Sequence, residues 1–265
     1  MSFDRFSGIS RLYGQQALSE FLQARVAVVG IGGVGSWAVE ALARSGIGHL
    51  TLIDLDEICL SNVNRQLHAM DGQIGRLKTS AMAERIRAIN PDATIEEKQT
   101  FYSEKNAEEL LGSGFDVVID AIDAVRQKCH LIASCRERGI PIVTCGAAGG
   151  RRDPSRIQVA DLALTCHDAL LLQTRKNLRS HHGFPKAPTG KKVKKFGVTA
   201  IFSTEAPVFP QCDGSVSCER PEGTNLRLNC DSGYGTATPV TATFGLIAAA
   251  QALDILCRKG AETNR

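Results

Sequence analysis

The chain has 265 residues, 43% hydrophobic and 22% charged, which is enough apolar material for a sizeable core and excludes a disordered or collagen-like polypeptide. Its formal charge of +3 hides an asymmetry: residues 151–195 hold eleven Lys/Arg against three Asp/Glu, so the rest is net acidic and one segment stands out as a polyanion-binding surface. Nine cysteines with no CxxC pair, behind a start Met1-Ser2-Phe3-Asp4-Arg5 that has no apolar run, imply reduced thiols in a cytoplasmic protein rather than a disulfide scaffold.

Val26–Val29 is a β-branched run that breaks into Gly30-Ile31-Gly32-Gly33-Val34-Gly35, after which Val34, Ala38 and Leu42 recur at helical spacing until Gly46. Leu50–Ile53 is a second apolar strand, continuous as parallel strands buried on both faces usually are, and it ends at Asp54 and Asp56. A helix is expected over Leu77–Ile89, stopped by Pro91, then a strand near Thr94–Phe101 and another over Phe115–Ile119 that ends at Asp120 and Asp123. A helix over Val125–Arg138 and a strand over Ile140–Thr144 continue the alternation. Such alternation implies a Rossmann-like α/β fold, a mainly parallel sheet with helices on both faces.

Past Gly149-Gly150 the pattern weakens. A helix near Asp168–Leu178 and a mobile loop through Gly183, Pro185, Pro188 and Gly190 are expected, followed by short strands at Thr199–Ser203 and Val216–Cys218 and a helix from Val240. Thr236–Leu253 is uncharged, but Pro239, Gly245, Gln251 and its threonines fit a buried helix better than a membrane span.

In Gly30-x-Gly32-x-x-Gly35 the glycines permit a tight turn, close approach of backbone to a phosphate, and close helix–strand packing, while the helix N-terminus offers N–H groups to an anion. Asp54, 24 residues after Gly30, is placed to bond a ribose. These residues alone leave NAD and ATP undistinguished. Ser61-Asn62-Val63-Asn64-Arg65, Lys78, and the pair Asp120/Asp123 tilt the balance, because triphosphate chemistry uses converging cations and a metal-binding carboxylate while nicotinamide chemistry does not.

The glycine string, Ala43-Arg-Ser-Gly-Ile-Gly48, Leu52-Ile-Asp-Leu-Asp56, Ser61-Asn-Val-Asn-Arg-Gln66 and Lys78 resemble the ThiF/MoeB/HesA superfamily of ubiquitin-activating-enzyme-like adenylyltransferases, and the resemblance spans nearly the whole chain. It implies a single adenylating domain over residues 1–265, with a nucleotide-binding half at 24–150 and a smaller α/β half at 151–265 for substrate and tRNA. It further implies ATP and Mg²⁺, with the nucleotide met by Gly30, Gly32, Gly33, Gly35, Asp54, Asp56, Asn62, Arg65, Lys78, Asp120 and Asp123, and the metal held by Asp123. Arg65, Lys78 and Arg11 would be catalytic. Arg11, in Ser10-Arg-Leu-Tyr-Gly14, matches an arginine that in this superfamily reaches the partner subunit's ATP, which implies a homodimer.

Sulfur-carrier adenylyltransferases usually carry two CxxC pairs, which are lacking here. Cys145-Gly-Ala-Ala-Gly-Gly150, Arg152-Asp-Pro-Ser-Arg-Ile-Gln158, Phe202-Ser-Thr-Glu-Ala206 and Asn229-Cys-Asp-Ser-Gly-Tyr-Gly235 are instead similar to the branch that activates the threonine carboxylate of threonylcarbamoyladenosine in tRNA and closes it into a ring. Arg151, Arg152, Arg156, Arg175, Lys176, Arg179, Lys186, Lys191, Lys192, Lys194 and Lys195 would then serve RNA phosphates. Three alternatives stay open: activation of the C-terminal glycine of a ubiquitin-like sulfur carrier, a non-catalytic adaptor that takes persulfide from a cysteine desulfurase, and an NAD-dependent redox role. Ring closure needs no thiol, so Cys145 and Cys230 read as small buried residues rather than nucleophiles.

Overall fold

The computed structural model describes residues 2–112, 114–186, 193–211, 213–219 and 235–263. In chain order the elements are α1 (Ser2–Arg5), α2 (Ser7–Tyr13), α3 (Gln15–Gln23), β1 (Arg25–Val29), α4 (Gly35–Arg44), β2 (His49–Ile53), α5 (Lys78–Ile89), β3 (Thr94–Lys98), α6 (Ala107–Leu111), β4 (Val117–Asp120), α7 (Val125–Glu137), β5 (Ile142–Cys145), β6 (Ile157–Asp161), α8 (Ala169–His181), β7 (Thr199–Ser203), β8 (Phe209–Pro210), β9 (Val216–Ser217) and α9 (Thr238–Thr263).

Seven strands form one sheet in the order β3-β2-β1-β4-β5-β7-β6, parallel throughout except for β6, which runs antiparallel to β7 at the edge. The α/β Rossmann-like architecture read from the sequence is therefore the one observed. The inner strands are apolar on both faces, and the pleat divides them: Val26, Val28, Leu52 and Ile119 join α3, α4, α5 and α9 in one core layer, while Ala27, Val29, Ile53 and Val118 join α6, α7 and α8 in the other.

Two features escaped the sequence reading. The N-terminal helices were not anticipated, yet α3 sends Ala17, Leu18 and Phe21 into the core. β6 lies inside the basic segment, where Ile157-Gln158-Val159 carries the period-two alternation that could have located it.

By length and composition α9 could cross a bilayer, but Val240, Phe244, Ala248 and Ala252 are fully buried against the sheet and α4. A Cβ on Gly245 would stand 2.4 Å from the Val34 carbonyl oxygen, so α9 crosses the start of α4 at backbone distance. That crossing brings the first turn of α9 to the carboxyl ends of the central strands.

Candidate active site

After β3 the chain returns to pair β4 with β1, so the loops that follow β1 and β4 part on opposite sides of the sheet. Such a switch point is where open α/β sheets leave a crevice. A cavity of about 710 Å³ lies there, within the range of a nucleotide-sized ligand.

Its floor begins with the glycine turn. Gly30 has φ +90°, favourable only without a side chain, and donates its N–H to the Ile53 carbonyl at 2.9 Å. A Cβ on Gly35 would fall 1.8 Å from the Gly30 carbonyl oxygen, so Gly35 serves helix–strand packing and does not line the cavity, whereas Gly30, Gly32 and Gly33 do. The N-terminus of α4 borders the cavity through Gly33 and Val34, a setting that favours an anion.

Asp54 is buried and braces this turn: Oδ2 accepts the Ile31 N–H at 2.6 Å and Oδ1 accepts the Asp56 N–H at 2.8 Å. Each oxygen retains a lone pair for a ribose hydroxyl. Asp56 in turn receives Lys78 Nζ at 2.7 Å. Lys78, at the start of α5, is nearly buried while Asp56 is half exposed, so the ammonium charge faces the cavity on a restrained stem.

Asn62 is buried, and its Oδ1 caps a short turn by accepting the Cys59 N–H at 3.0 Å. Arg65 donates Nη1 to the Ser61 carbonyl at 2.7 Å and to Asn64 Oδ1 at 3.1 Å. The segment is clamped from outside by α9: Thr238 Oγ1 donates to the Asn64 carbonyl at 2.7 Å, and Trp37 Nε1 on α4 donates to the Arg65 carbonyl at 3.0 Å. Asn62, Arg65 and Lys78 thus line one cavity with Asp54 and Asp56.

Of the acidic pair after β4, only Asp123 lines the cavity. It is exposed at the rim and makes no hydrogen bond or ion pair with the described residues. Asp120, expected beside it as a nucleotide ligand, is fully buried: Oδ2 takes Lys128 Nζ at 2.7 Å and the Thr144 hydroxyl at 2.6 Å, and Oδ1 takes the Ile122 N–H at 3.0 Å. Its carboxylate holds the turn that presents Asp123, and this corrects its assignment. Lys128 and Thr144 had no distinguishing sequence signal.

Arg11 on α2 is exposed and lies outside its own chain's cavity. Arg151 is buried, with its guanidinium spread over the carbonyls of Ala147, Ser203, Glu205 and His167. It organises the turn after β5 and does not belong to an RNA surface. Arg175 is bound to Thr165, and Arg179 lies 5.2 Å over the Phe196 ring while donating to the Pro185 carbonyl. Arg152, Arg156, Lys176, Lys186, Lys194 and Lys195 are exposed, whereas Lys191, Lys192 and the Pro188–Gly190 stretch of the expected loop lie outside the described residues.

Cys145 closes β5 against the cavity, where burial above all pushes its thiol up to about 12 and keeps it protonated. Cys230 lies outside the described residues. His68 was also overlooked. Buried beneath the glycine turn, it places Nε2 2.8 Å from the Ile31 carbonyl, which only an Nε2–H can satisfy, and its Nδ1 has no partner among the described residues. Burial chiefly, with Lys78 nearby, lowers its pKa, against the opposing pull of the Ile31 carbonyl and Asp54.

Residues 6–265 match the ThiF family. The chain belongs to it. It is 50% identical to the tRNA threonylcarbamoyladenosine dehydratase of Escherichia coli strain K12 over 97% of this chain and 95% of that one. It is 48% identical to the protein of the same name from Haemophilus influenzae, over 96% and 94%. Among solved structures, the Escherichia coli dehydratase in complex with ATP superposes with a TM-score of 0.86 at 46% identity, covering 98% of this chain and 96% of its own.

Proposed function

We infer that this chain is an ATP-dependent tRNA threonylcarbamoyladenosine dehydratase. It adenylates the threonine carboxylate of the modified nucleoside and closes the ring with loss of AMP. The observation that carries the reading is one cavity that unites the glycine turn, Asp54, Arg65, Lys78 and Asp123, on a chain that aligns end to end with dehydratases of that name.

The substrate carboxylate attacks the α-phosphorus of ATP, forming the acyl-adenylate and releasing pyrophosphate. An internal nitrogen of the substrate then attacks the acyl carbon and AMP departs. A carboxylate lacks a leaving group, and adenylation supplies one; proximity drives the second step without an enzyme nucleophile. The protein contributes placement and charge. Asp54 holds the ribose, while Arg65, Lys78 and the N–H groups of the glycine turn face the phosphates and stabilise the charge that develops on pyrophosphate.

Asp123 fits a Mg²⁺ ligand: its carboxylate is uncommitted at the rim, and Mg²⁺ commonly takes one or two carboxylates together with substrate phosphates. Bound there, the ion would neutralise phosphate charge. Arg11 would complete the cavity of a second copy in a homodimer, a role that its exposure on α2 and its distance from its own chain's cavity support. The described cysteines are all unpaired, which supports a reducing, cytoplasmic setting. The exposed lysines and arginines of residues 152–195 would meet the tRNA backbone. Activation of a sulfur carrier is not favoured, given the end-to-end match to tRNA-modifying relatives.

Digestion of treated tRNA to nucleosides tests the reaction. The threonylcarbamoyladenosine peak should lose the mass of one water only when enzyme and ATP are both present; an unchanged nucleoside would sink the assignment.

A further inference from the structure

Gln66 lies directly after Arg65, lines the cavity and is 7% exposed. Its backbone is fixed without help from its side chain: the Gln66 N–H donates to the Asn62 carbonyl at 2.9 Å, and the following residues are tied by Leu67 N–H to Ser36 Oγ and by His68 to the Ile31 carbonyl. Neither atom of the side-chain amide makes a hydrogen bond among the described residues, and Oε1 is fully buried. Nε2 sits 3.9 Å from the point where a Cβ on Gly32 would stand, so the amide overhangs the glycine turn.

Nε2 is thus a donor without a partner at the cavity wall, open to an acceptor on a bound molecule, while the buried Oε1 is a cost to the fold that a hydrocarbon side chain of similar length would avoid. We propose that Gln66 is a nucleotide-contacting residue of this site, its amide N–H donating to a phosphate oxygen held over the glycine turn; the inference rests on the proposed use of ATP. A nucleotide offers the complement of that donor in its phosphate oxygens. Arg65 and Lys78 supply charge, and Gln66 adds a neutral donor of fixed direction between them and the turn.

The test uses the full chain and its Gln66→Met and Gln66→Glu variants, with ATP affinity measured by calorimetry and Tm measured without nucleotide. Gln66→Met should keep or raise Tm and weaken ATP binding about tenfold, the loss of a hydrogen bond to a charged group. Gln66→Glu should weaken it further, because a carboxylate opposes the phosphates. ATP affinity within twofold of the parent in a folded Gln66→Met protein would overturn the inference, as would a Tm lowered by several degrees with affinity unchanged, the mark of a structural role. If the parent itself binds no ATP, the proposed function falls together with this inference.

Discussion

Lys128 on α7 holds Asp120 at the end of β4 across 2.7 Å, with both side chains wholly shielded from water and the Thr144 hydroxyl bonded to each. A charge pair of this kind matters less for its net energy than for the damage done when one member is lost. Lys128→Met leaves a buried carboxylate uncompensated and should destabilise the fold by about 3 to 5 kcal/mol. Urea unfolding of Lys128→Met and of the double variant with Asp120→Asn checks this. The double variant should recover part of the loss, and a single variant as stable as the parent would refute the account.

Lys78→Ala and Arg65→Ala should each slow ATP-dependent pyrophosphate release by about a hundredfold or more, as removal of one preorganised donor does. Lys78 is nearly buried, but its partner Asp56 is half exposed and water can take over that carboxylate. Circular dichroism should therefore show both variants folded. Wild-type rates in either would remove that residue from the phosphate site.

Asp123→Asn should raise the Mg²⁺ concentration needed for half-maximal rate, since an amide is a weaker hard-oxygen ligand, and leave stability unchanged because the side chain is exposed and makes no bond among the described residues. An identical Mg²⁺ titration for parent and variant would contradict its role.

His68 gives a pH dependence with a definite sign. Its pKa is lowered in the fold by burial and Lys78, against Asp54 and the Ile31 carbonyl, while the unfolded imidazole titrates near about 6.5. Above that value both states are neutral and its contribution is intact. As pH falls below it the unfolded chain takes the proton first, so stability is lost down to the folded pKa. His68→Gln, which can still donate to Ile31, should flatten the fall of Tm between about pH 6.5 and 5. An equally steep fall would show that other groups cause it.

The sheet and the nucleotide crevice were legible in the sequence because they rest on local signals. The apolar runs over residues 26–29, 50–53 and 117–119 and the glycine spacing each reflect a short-range requirement of backbone packing. Asp120 was misassigned because a carboxylate at a strand end looks the same whether it faces a cavity or a lysine eight residues on. Arg151 failed in the same way: charge count placed it on a surface, whereas four backbone carbonyls claim it. Gln66 and His68 sit beside the Asn62–Arg65 segment, but their surroundings come from the distant glycine turn, and sequence spacing is silent on such contacts.

Among the described residues, the exposed members of the basic segment are Arg152, Arg156, Lys176, Lys186, Lys194 and Lys195. Neutralising Lys191, Lys192, Lys194 and Lys195 together should weaken tRNA binding without changing ATP affinity, and should lower the slope of log K against log salt by about 0.7 for each lysine that touches a phosphate. An unaltered slope would make the segment an ordinary solvated surface.

The central claim is that the carboxylate activated here belongs to a modified tRNA nucleoside. Pyrophosphate release measured with tRNA bearing threonylcarbamoyladenosine, with tRNA lacking it, and with a ubiquitin-like sulfur carrier tests that claim most directly. Release should require the modified tRNA and be abolished with the other two. Release driven by the sulfur carrier, or equal release with both tRNAs, would contradict it.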